Sequence, residues 1–545
     1  MKIYNTASLN EQSMKKLSPD EAAHIYNGLD VCVTAEIYNV LKSQLLADTE
    51  GVQTTYRSAL AKLAPIMEMS LRGTLIDEES RQATMKDLEK ILSRLDSQFQ
   101  QIIIEVIGYN MNWRSPVQLK YLFYDVLKIK PVKKRNQKGQ YVPTVNKEAL
   151  EQFQIYLYAA PLARFILLMR DLHKQISFLR TEIDRDQRIR TTYNIAGTNT
   201  GRLASSMSEF GTGTNMQNVN RKLRSVFHAD RDMYMLNVDL EQADGRNVGA
   251  ICFNLFIDMS REQVYELAKD DPRLASFVKD GAWVGPIGYD LAAAYLDACE
   301  GGDLHTTVCK MVWPDALLGQ EWPSDESLWK KFCDGIIAHG QDSFRQLSKK
   351  GGHGTNYYGT PRTMSKHLHV PTVLITNFQN SYFTQFPAIP LWHNWVIREI
   401  REHGTITTLF GRRRMFFGRG NDASTYRKAI AYEPQSMTGE QIDRGLLQIW
   451  RAFPQVNLLN QVHDSILIQQ PFNRSTELTP KILEAMTVSL PLKHGRVFTM
   501  PLDSAGGWNW GYADKGNSSG LKGWRGKELR EPPIKQTSIR RLFKK

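Results

Sequence analysis

The sequence has few cysteines and no long apolar run. Its 545 residues include five cysteines, none in a CxxC pair, which disfavours a disulfide framework and favours free thiols in a reducing compartment. His305 and Cys309 lie four residues apart, but no second pair completes a zinc site, so packing is the favoured interpretation. No stretch has membrane-spanning length and no signal peptide is recognisable. These absences predict a cytoplasmic protein without a membrane partner.

Acidic residues are the minority charge. The chain has 69 Lys+Arg against 57 Asp+Glu, a net charge of +12, which favours a polyanionic partner. Residues 515–545 contain ten basic and two acidic residues, so the rest of the chain is only mildly basic. A binding groove there must concentrate its charge locally. The length allows several domains with substantial cores.

Two distant apolar segments each carry an aspartate. Asp239 follows the apolar run at 235–238, and Asp464 lies inside the run at 458–468. Two strands joined by a tight turn at His463 and Asp464 would bring a carboxylate to a sheet edge. Beside Asp239 it could hold two divalent cations about 3.5–4 Å apart. Taken alone, either segment is more simply a capped turn.

Between them lies the segment RQLSKKGGHGTNYYG, residues 345–359. Arg345, Lys349, His353 and Tyr357 follow one another at four-residue steps, so they share one helical face. Such a face can neutralise phosphate oxygens and stack an aromatic ring on a base. Paired glycines at 351 and 352 count against a helix, at about 1 kcal/mol each. The alternative is a solvated basic helix.

In this order the three segments resemble motifs A, B and C of the family A DNA polymerases. Other segments that match in order are NTGRLASS (199–206), NMQNV (215–219), LFGRRR (409–414), RKAIAYEPQS (427–436) and GWNWG (507–511). The likeness covers about residues 20–512 and is closest in style to phage enzymes. It implies an α+β right-hand fold of palm, fingers and thumb, with the palm built on an antiparallel sheet.

The resemblance also implies a domain order. The expected regions are an exonuclease-like remnant (1–55), a thumb (56–190), a first palm part with motif A (191–248), fingers (249–430) with an insertion at about 253–300, a second palm part with motif C (431–512), and a basic flexible tail (513–545). Within the thumb, the basic stretch 128–141 is expected to be a mobile loop against duplex DNA.

The implied activity is template-directed addition of dNTPs to a primer 3′-hydroxyl, in phage genome replication. Asp239 and Asp464 would be the catalytic aspartates and, with the carbonyl of Leu240, the ligands of two Mg²⁺ ions, with Mn²⁺ as an alternative. The implied nucleotide-binding residues are Arg345, Lys349, His353, Tyr357 and Asp244. The implied contacts with primer-template DNA are Arg202, Gln217, Asn218, Arg427, Gln435 and His463.

The chain departs from the family pattern at several of these positions. Asp244 stands where a longer Glu usually blocks a ribose 2′-hydroxyl, so ribonucleotide exclusion is either looser or rebuilt by neighbouring residues. Ser465 replaces the Glu that usually follows Asp464. His353 occupies a position where relatives carry Phe or Tyr against the sugar, and Tyr358 occupies one where Gly is usual.

Both ends of the chain suggest partners. Tyr26 and Asp30 resemble the last motif of a 3′–5′ exonuclease, but the Asp-x-Glu motif that should precede it is absent. We therefore expect no intrinsic proofreading, with any exonuclease either on a separate subunit or in a removed portion of the protein. Near the C-terminus, Gln536, Ile539, Leu542 and Phe543 resemble a sliding-clamp-binding peptide. A basic strand-binding tail is the alternative.

Two other functions remain open from the sequence. Single-subunit RNA polymerases share this palm and favour His-Asp-Ser at motif C, as here, although they carry a small residue where this chain has Asp244. A non-catalytic primer-template binding subunit is the second alternative. The intact aspartates and phosphate-binding cations count against it.

Overall fold

The structure is a computed structural model that describes residues 17–136, 138–313, 319–339, 342–418 and 422–524. Its α-helices are α1 (Pro19–Leu46), α2 (Glu50–Ala61), α3 (Leu63–Arg72), α4 (Glu78–Ile107), α5 (Pro116–Lys120), α6 (Lys147–Phe153), α7 (Ala160–Leu179), α8 (Ala243–Phe256), α9 (Arg261–Ala268), α10 (Gly288–Ala292), α11 (Ala294–Glu300), α12 (Leu304–Val312), α13 (Trp329–Gly335), α14 (Phe344–Asn356), α15 (Pro361–Leu368), α16 (Thr372–Gln385), α17 (Ala388–Glu402), α18 (Ala423–Ala452) and α19 (Ser475–Met486).

The strands are short except for those of one sheet. They are β1 (Thr74–Ile76), β2 (Lys133–Arg135), β3 (Tyr141–Pro143), β4 (Arg188–Ile189), β5 (Thr192–Asn194), β6 (Ala204–Ser206), β7 (Phe227–His228), β8 (Met233–Leu240), β9 (Val278–Lys279), β10 (Ala282–Trp283), β11 (Ile337–His339), β12 (Asp342–Ser343), β13 (Thr405–Thr407), β14 (Arg413–Met415), β15 (Asn457–Val462), β16 (Ser465–Pro471), β17 (Ser489–Pro491), β18 (Val497–Thr499), β19 (Leu502–Gly507) and β20 (Lys522–Gly523).

The chain divides into two compact units. Unit 1 contains residues 1–61 and 247–437, and unit 2 contains residues 62–246 and 438–545. Across the described residues, no helix combines the length and the apolar character that crossing a bilayer requires. The mixture of helices with antiparallel strands confirms the predicted α+β class.

Unit 2 is built on a five-stranded antiparallel sheet in the order β15-β16-β8-β19-β20. Its central strand β8 is apolar along most of its length, and Met235, Leu236 and Val238 are fully buried. Phe227 and Trp510 meet edge to face beside the sheet, with ring centroids 5.6 Å apart. This packing fixes the strand that carries Asp239.

A helical pair forms a second core in unit 2. Helix α4 is capped by Asp77, whose side chain accepts hydrogen bonds from the backbone N–H groups of residues 79 and 80. Its Phe99 and Ile103, four residues apart on one helical face, are fully buried in a cluster that includes Ile166 and Met169 of α7. The stretch 128–141 differs from the predicted loop, since its exposed basic residues 133–135 form a hairpin with β3.

The prediction of a flexible tail differs from the structure at residues 513–524, the first twelve residues of that region. Leu521 is buried in the hydrophobic core, and β20 pairs with β19 at the edge of the sheet. The sequence suggested disorder because aliphatic residues are sparse there, but one buried leucine and the strand pairing hold the segment. The clamp-like residues Gln536, Ile539, Leu542 and Phe543 lie outside the described residues.

Unit 1 is mainly helical. The buried face of α14 packs against α12 and α16. Phe378 and Tyr382, both on α16, stack with ring centroids 5.7 Å apart. Ser18 caps the start of α1, since its hydroxyl accepts a hydrogen bond from the backbone N–H of Glu21. That helix has a single buried side chain, Ile25, and most of its apolar residues are exposed.

Candidate active site

Asp239 lies between two polar neighbours on the sheet. In the antiparallel register it pairs with Ser465 of β16 on one side and with Asp503 of β19 on the other. Directly paired residues in a sheet point to the same face, with Cβ atoms about 4.5–5.5 Å apart. Asp503 was not among the residues singled out from the sequence, because it lies far along the chain in a segment without a recognisable pattern.

The predicted hairpin brings Asp464 to the same place. Strands β15 and β16 are joined by His463 and Asp464, with Val462 paired to Ser465. His463 adopts a left-handed conformation with φ of 55°, which His tolerates better than most residues. The backbone N–H of Leu240 donates to the carbonyl of Asp464 at 3.0 Å, so the end of β8 is joined directly to this turn.

The carboxylates repel one another. Burial and the neighbouring carboxylates of Asp464 and Asp503 together raise the pKa of Asp239 to about 7, against a small opposing effect of Arg221. The side chains of Asp239 and Asp464 are also within hydrogen-bonding reach of each other. Crowded carboxylates with this raised pKa fit a bound cation, whose charge offsets the repulsion.

The donor set suits a hard cation with few protein ligands. Among the described residues, no group of three or more His, Cys, Asp or Glu side chains is arranged to hold a metal. Asp239 and Asp464 would therefore act with oxygens from backbone, water or a bound anion, which is the usual environment of Mg²⁺.

A cleft of about 260 Å³ brings together three of the predicted DNA contacts. Arg202, Gln217 and His463 all line it. The side-chain amide of Gln217 donates to Gln461 at 2.9 Å, and that of Gln461 donates to the carbonyl of His463 at 2.9 Å. Gln461, which was not predicted, thus joins two walls of the cleft. Asn218 is exposed on the 3₁₀ turn that carries Gln217.

Asp244 lies in the first turn of α8, five residues after Asp239. Its Oδ1 accepts from the guanidinium of Arg202 at 3.2 Å and from the hydroxyl of Thr438 at 3.0 Å. The predicted residues Arg202 and Asp244 are therefore in direct contact. Thr438, fully buried on α18, was missed because a single threonine within a long helix carries no sequence signal.

In unit 1, the predicted cationic face lies on α14. The helix begins at the cap Ser343 and ends at Asn356, with Tyr357 as its C-terminal cap. Of its paired glycines, Gly351 is required by packing, since a Cβ there would lie 2.9 Å from the ring of Phe378, whereas a Cβ on Gly352 would make an ordinary contact with Tyr382 at 3.7 Å. Tyr358 takes the left-handed conformation, with φ of 62°, at the position where the family usually has glycine.

Two of the predicted cations on α14 have different surroundings. The Arg345 side chain is 12% exposed, and its Nη2 and Nε donate to Oδ2 of Asp303 at 2.5 and 2.8 Å. Its Nη1 also donates to Asp334 at 3.4 Å. Lys349, in contrast, is exposed. His353 is exposed too, and its ring meets Tyr357 edge to face at 4.7 Å.

His305 belongs to this surface, although the sequence favoured a packing role. Burial lowers its pKa and the charge of Asp303 opposes this, while Lys349, Arg345 and the neighbouring His353 ring act in the same direction as burial, so that the pKa is about 4. The imidazole is consequently neutral at neutral pH and can donate one hydrogen bond to an anion. Its position four residues before Cys309 favoured packing in the sequence and gave no sign of this cluster.

The remaining predicted contacts lie on α18. Arg427 is exposed and Gln435 is half-buried, both on the part of the helix that belongs to unit 1. They are not part of the cleft that contains Arg202, Gln217 and His463.

The segments that contain Asp239, Arg345 and Asp464 lie within the part of the chain that is similar to known proteins. The family model of DNA polymerase family A matches residues 82–252 and 331–511, more than half of the chain. The chain is 24% identical to the thermostable DNA polymerase I of Thermus filiformis over 445 residues, which are 78% of this chain and 45% of that protein. It is 24% identical to DNA polymerase I of Treponema pallidum over 502 residues, 87% of this chain and 42% of the relative.

The chain thus spans about half the length of the curated relatives it matches. Among solved structures, the polymerase domain of Pol1 from M. smegmatis, in complex with DNA primer-template and dNTP, is similar with a TM-score of 0.60 and 18% identity. The match covers 83% of this chain and 70% of that chain. This likeness confirms the predicted fold.

Proposed function

The chain belongs to DNA polymerase family A, and from this membership we propose that it is a template-directed DNA polymerase that adds dNTPs to a primer 3′-hydroxyl. The observation that carries the proposal is the contact between Asp239 and Asp464 at the end of β8, where burial and mutual repulsion raise the pKa of Asp239 to about 7. Such a pair is stabilised by divalent cations and serves phosphoryl transfer.

Asp239, Asp464 and the carbonyl of Leu240 would hold two Mg²⁺ ions, with Mn²⁺ as a substitute. When bound, the ions lower the pKa of the attacking hydroxyl and neutralise charge on the triphosphate. The chain itself contributes rigidity, because both carboxylates stand on paired strands of one sheet. Precise placement of the acceptors is what this chemistry requires from the protein.

On α14, we assign the triphosphate to Lys349, Arg345 and His305. Lys349 is the exposed cation, while Arg345 must exchange its bond to Asp334 for a phosphate oxygen or act while still bound to Asp303. His305 contributes a neutral N–H donor. His353 is assigned to the sugar and Tyr357 to the templating base.

For primer-template DNA, we assign contacts to two sets of residues. Three residues of the unit 2 cleft would contact the primer terminus and its minor groove: Arg202, Gln217 and His463. Three residues on the neighbouring turn and on α18 would contact the template and primer strands: Asn218, Arg427 and Gln435. The exposed basic hairpin of β2 and β3 adds phosphate contacts that give affinity without sequence information. The M. smegmatis structure holds primer-template DNA and dNTP, which supports DNA and a nucleotide as the ligands of this chain.

We also propose that the described residues carry no proofreading site of their own. Tyr26 and Asp30 lie on α1, where both are exposed, and no described acidic cluster surrounds them. Val31, Ile37 and Leu46 on this helix are 68%, 52% and 64% exposed, which suits coverage by a separate exonuclease subunit. A labelled primer with a 3′ mismatch should remain full length with enzyme and Mg²⁺ alone. Shortening of the primer by the purified chain would contradict this.

Two assignments rest on sequence resemblance alone. One is a sliding clamp bound by Gln536, Ile539, Leu542 and Phe543, and the other is a role in phage genome replication. Deleting residues 535–545 should reduce the length of products made with a clamp and leave clamp-free synthesis unchanged. Equal products from both forms in the presence of the clamp would remove the assignment.

Primer extension tests the polymerase function directly. The wild type should extend a primer with dNTPs and Mg²⁺, and Asp464→Asn should not, while its affinity for primer-template DNA persists. Asp232→Asn is a matched control, because this aspartate is 89% exposed at the other end of β8. Extension with rNTPs in preference to dNTPs would move the assignment to RNA synthesis. DNA binding without extension by the wild type would favour a strand-binding subunit.

A further inference from the structure

We propose that Thr438 is a specificity-determining positioning residue, whose hydroxyl, together with Arg202, fixes the carboxylate of Asp244 against a ribose 2′-hydroxyl. The inference rests on the proposed polymerase function and assigns its sugar selectivity to a residue that the sequence does not reveal.

Two donors converge on one oxygen of Asp244. The Thr438 hydroxyl donates to Oδ1 at 3.0 Å and Nη2 of Arg202 donates to the same atom at 3.2 Å. Thr438 is fully buried, whereas the side chains of Asp244 and Arg202 are 25% and 24% exposed. The carboxylate is therefore held from the buried side and remains accessible from the other.

This arrangement compensates for a short side chain. Aspartate reaches one methylene less far than the glutamate usual at this position, so selectivity depends on keeping its carboxylate in one orientation. The two bonds come from different segments, a loop and a helix, and together they restrict rotation about the side-chain torsions. A charge-assisted bond from Arg202 strengthens the restraint.

The same bonds reduce what the carboxylate can offer a ribose. Two donors occupy the acceptor positions of Oδ1, so that oxygen cannot also accept a bond from a 2′-hydroxyl. Only Oδ2 remains as an acceptor, and because the carboxylate is held in one orientation, a 2′-hydroxyl that meets it out of line with Oδ2 would be buried without a compensating hydrogen bond. Sites discriminate most strongly when the wrong substrate leaves a polar group unpaired.

A glycine beside Thr438 makes room for the arrangement. A Cβ on Gly439 would lie 3.0 Å from Cγ of Arg202 and 3.6 Å from its Cα and backbone N. The contact at 3.0 Å is tighter than ordinary packing, so a side chain at position 439 would push the Arg202 side chain aside by a few tenths of an ångström, while the two at 3.6 Å are ordinary contacts. Thr438 and Gly439 thus act as a pair, in which the first binds the carboxylate and the second admits the other donor.

The test is the ratio of single-turnover incorporation efficiencies for a dNTP and the matching rNTP. Thr438→Val removes the hydroxyl at nearly constant shape, and we expect dNTP-over-rNTP discrimination to fall about tenfold, the effect of one lost hydrogen bond. Thr438→Ser keeps a donor and should preserve most of the discrimination. If Thr438→Val does not fold, Thr438→Ala makes the same comparison with Thr438→Ser.

A double mutant separates a role through Asp244 from a general packing effect. In an Asp244→Ala background, Thr438→Val should change the ratio no further, because the group that it positions is absent. An unchanged ratio in folded Thr438→Val, or an equal loss in both backgrounds, would overturn the proposal. Absence of dNTP incorporation by the wild type would instead overturn the polymerase function, so the two failures are distinguishable.

Discussion

The carboxylates of unit 2 and the cationic helix of unit 1 differ in how their charges are balanced. At the end of β8, Asp239 adjoins Asp464 and Asp503, and repulsion with burial raises the pKa of Asp239 to about 7. On α14, Arg345 is already neutralised by Asp303 and Asp334. Although burial opposes it, the bond to Arg345 lowers the pKa of Asp303 below its usual value.

The two regions therefore differ in how they would bind a charged ligand. The carboxylates hold an excess of one charge, so a cation binding there relieves a cost that folding imposes. On helix α14, the charge of Arg345 is compensated by Asp303 and Asp334 of the same unit. Lys349 is exposed, so it can bind an anion without first breaking such an ion pair. Substitution should therefore affect stability in opposite directions in the two regions.

The largest expected effect follows from Asp239→Asn. The pKa of Asp239 rises from its usual 3.8 to about 7. Its favourable contribution to the free energy of folding is therefore complete below about pH 4 and is lost as the pH rises through 7. The variant should be more stable than the wild type at pH 8 in EDTA, by up to about 4 kcal/mol. Extension activity should fall at least about 10³-fold.

Thermal unfolding between pH 4 and 8, with and without Mg²⁺, measures this. Mg²⁺ should stabilise the wild type at pH 8 by binding its folded form and should stabilise Asp239→Asn much less. The control Asp232→Asn should behave as the wild type. A variant that is less stable at pH 8, or that keeps the wild-type slope with pH, would contradict the account of charge repulsion.

Within α14, Arg345 and Lys349 should separate stability from nucleotide binding. Arg345→Ala leaves Asp303 partly buried without its cation, which should cost about 2–3 kcal/mol of folding free energy and also raise the KM for dNTPs. Lys349→Ala should raise that KM about tenfold without lowering the melting temperature. Lys350→Ala, which removes an exposed cation paired with Asp342, is the matched control and should change neither.

Steady-state kinetics with melting curves on the three variants make the comparison. Equal losses of stability in Arg345→Ala and Lys349→Ala would mean that the two cations are not distinguished by burial as the structure indicates.

The smallest effect is expected for Asp503→Asn. This carboxylate lies beside Asp239, on the neighbouring strand β19, but is exposed, so it should attract cations electrostatically without being essential. The Mg²⁺ concentration for half-maximal extension should rise about threefold at low salt, and the difference should vanish near 1 M salt because exposed charges are then screened. A loss as large as that of Asp464→Asn would instead make Asp503 a metal ligand.

Local pattern predicted the elements that carry the site. The four-residue spacing from Arg345 to Tyr357 predicted one helical face, and the apolar runs around Asp464 predicted the hairpin. Such patterns are readable because each depends on neighbours within one or two turns of chain. The beginning of the tail was mispredicted for the converse reason, since β20 is held by a strand that local composition does not reveal.

Residue types at short spacings were enough to predict the family resemblance, the two aspartates Asp239 and Asp464 as a pair, and the cationic face of α14. Only the tertiary structure decided that Asp503 lies beside Asp239, that Arg345 is neutralised by Asp303, and that Thr438 binds Asp244 from 194 positions away. Such contacts depend on strand register and helix packing, which bring together residues whose separation in sequence carries no signal.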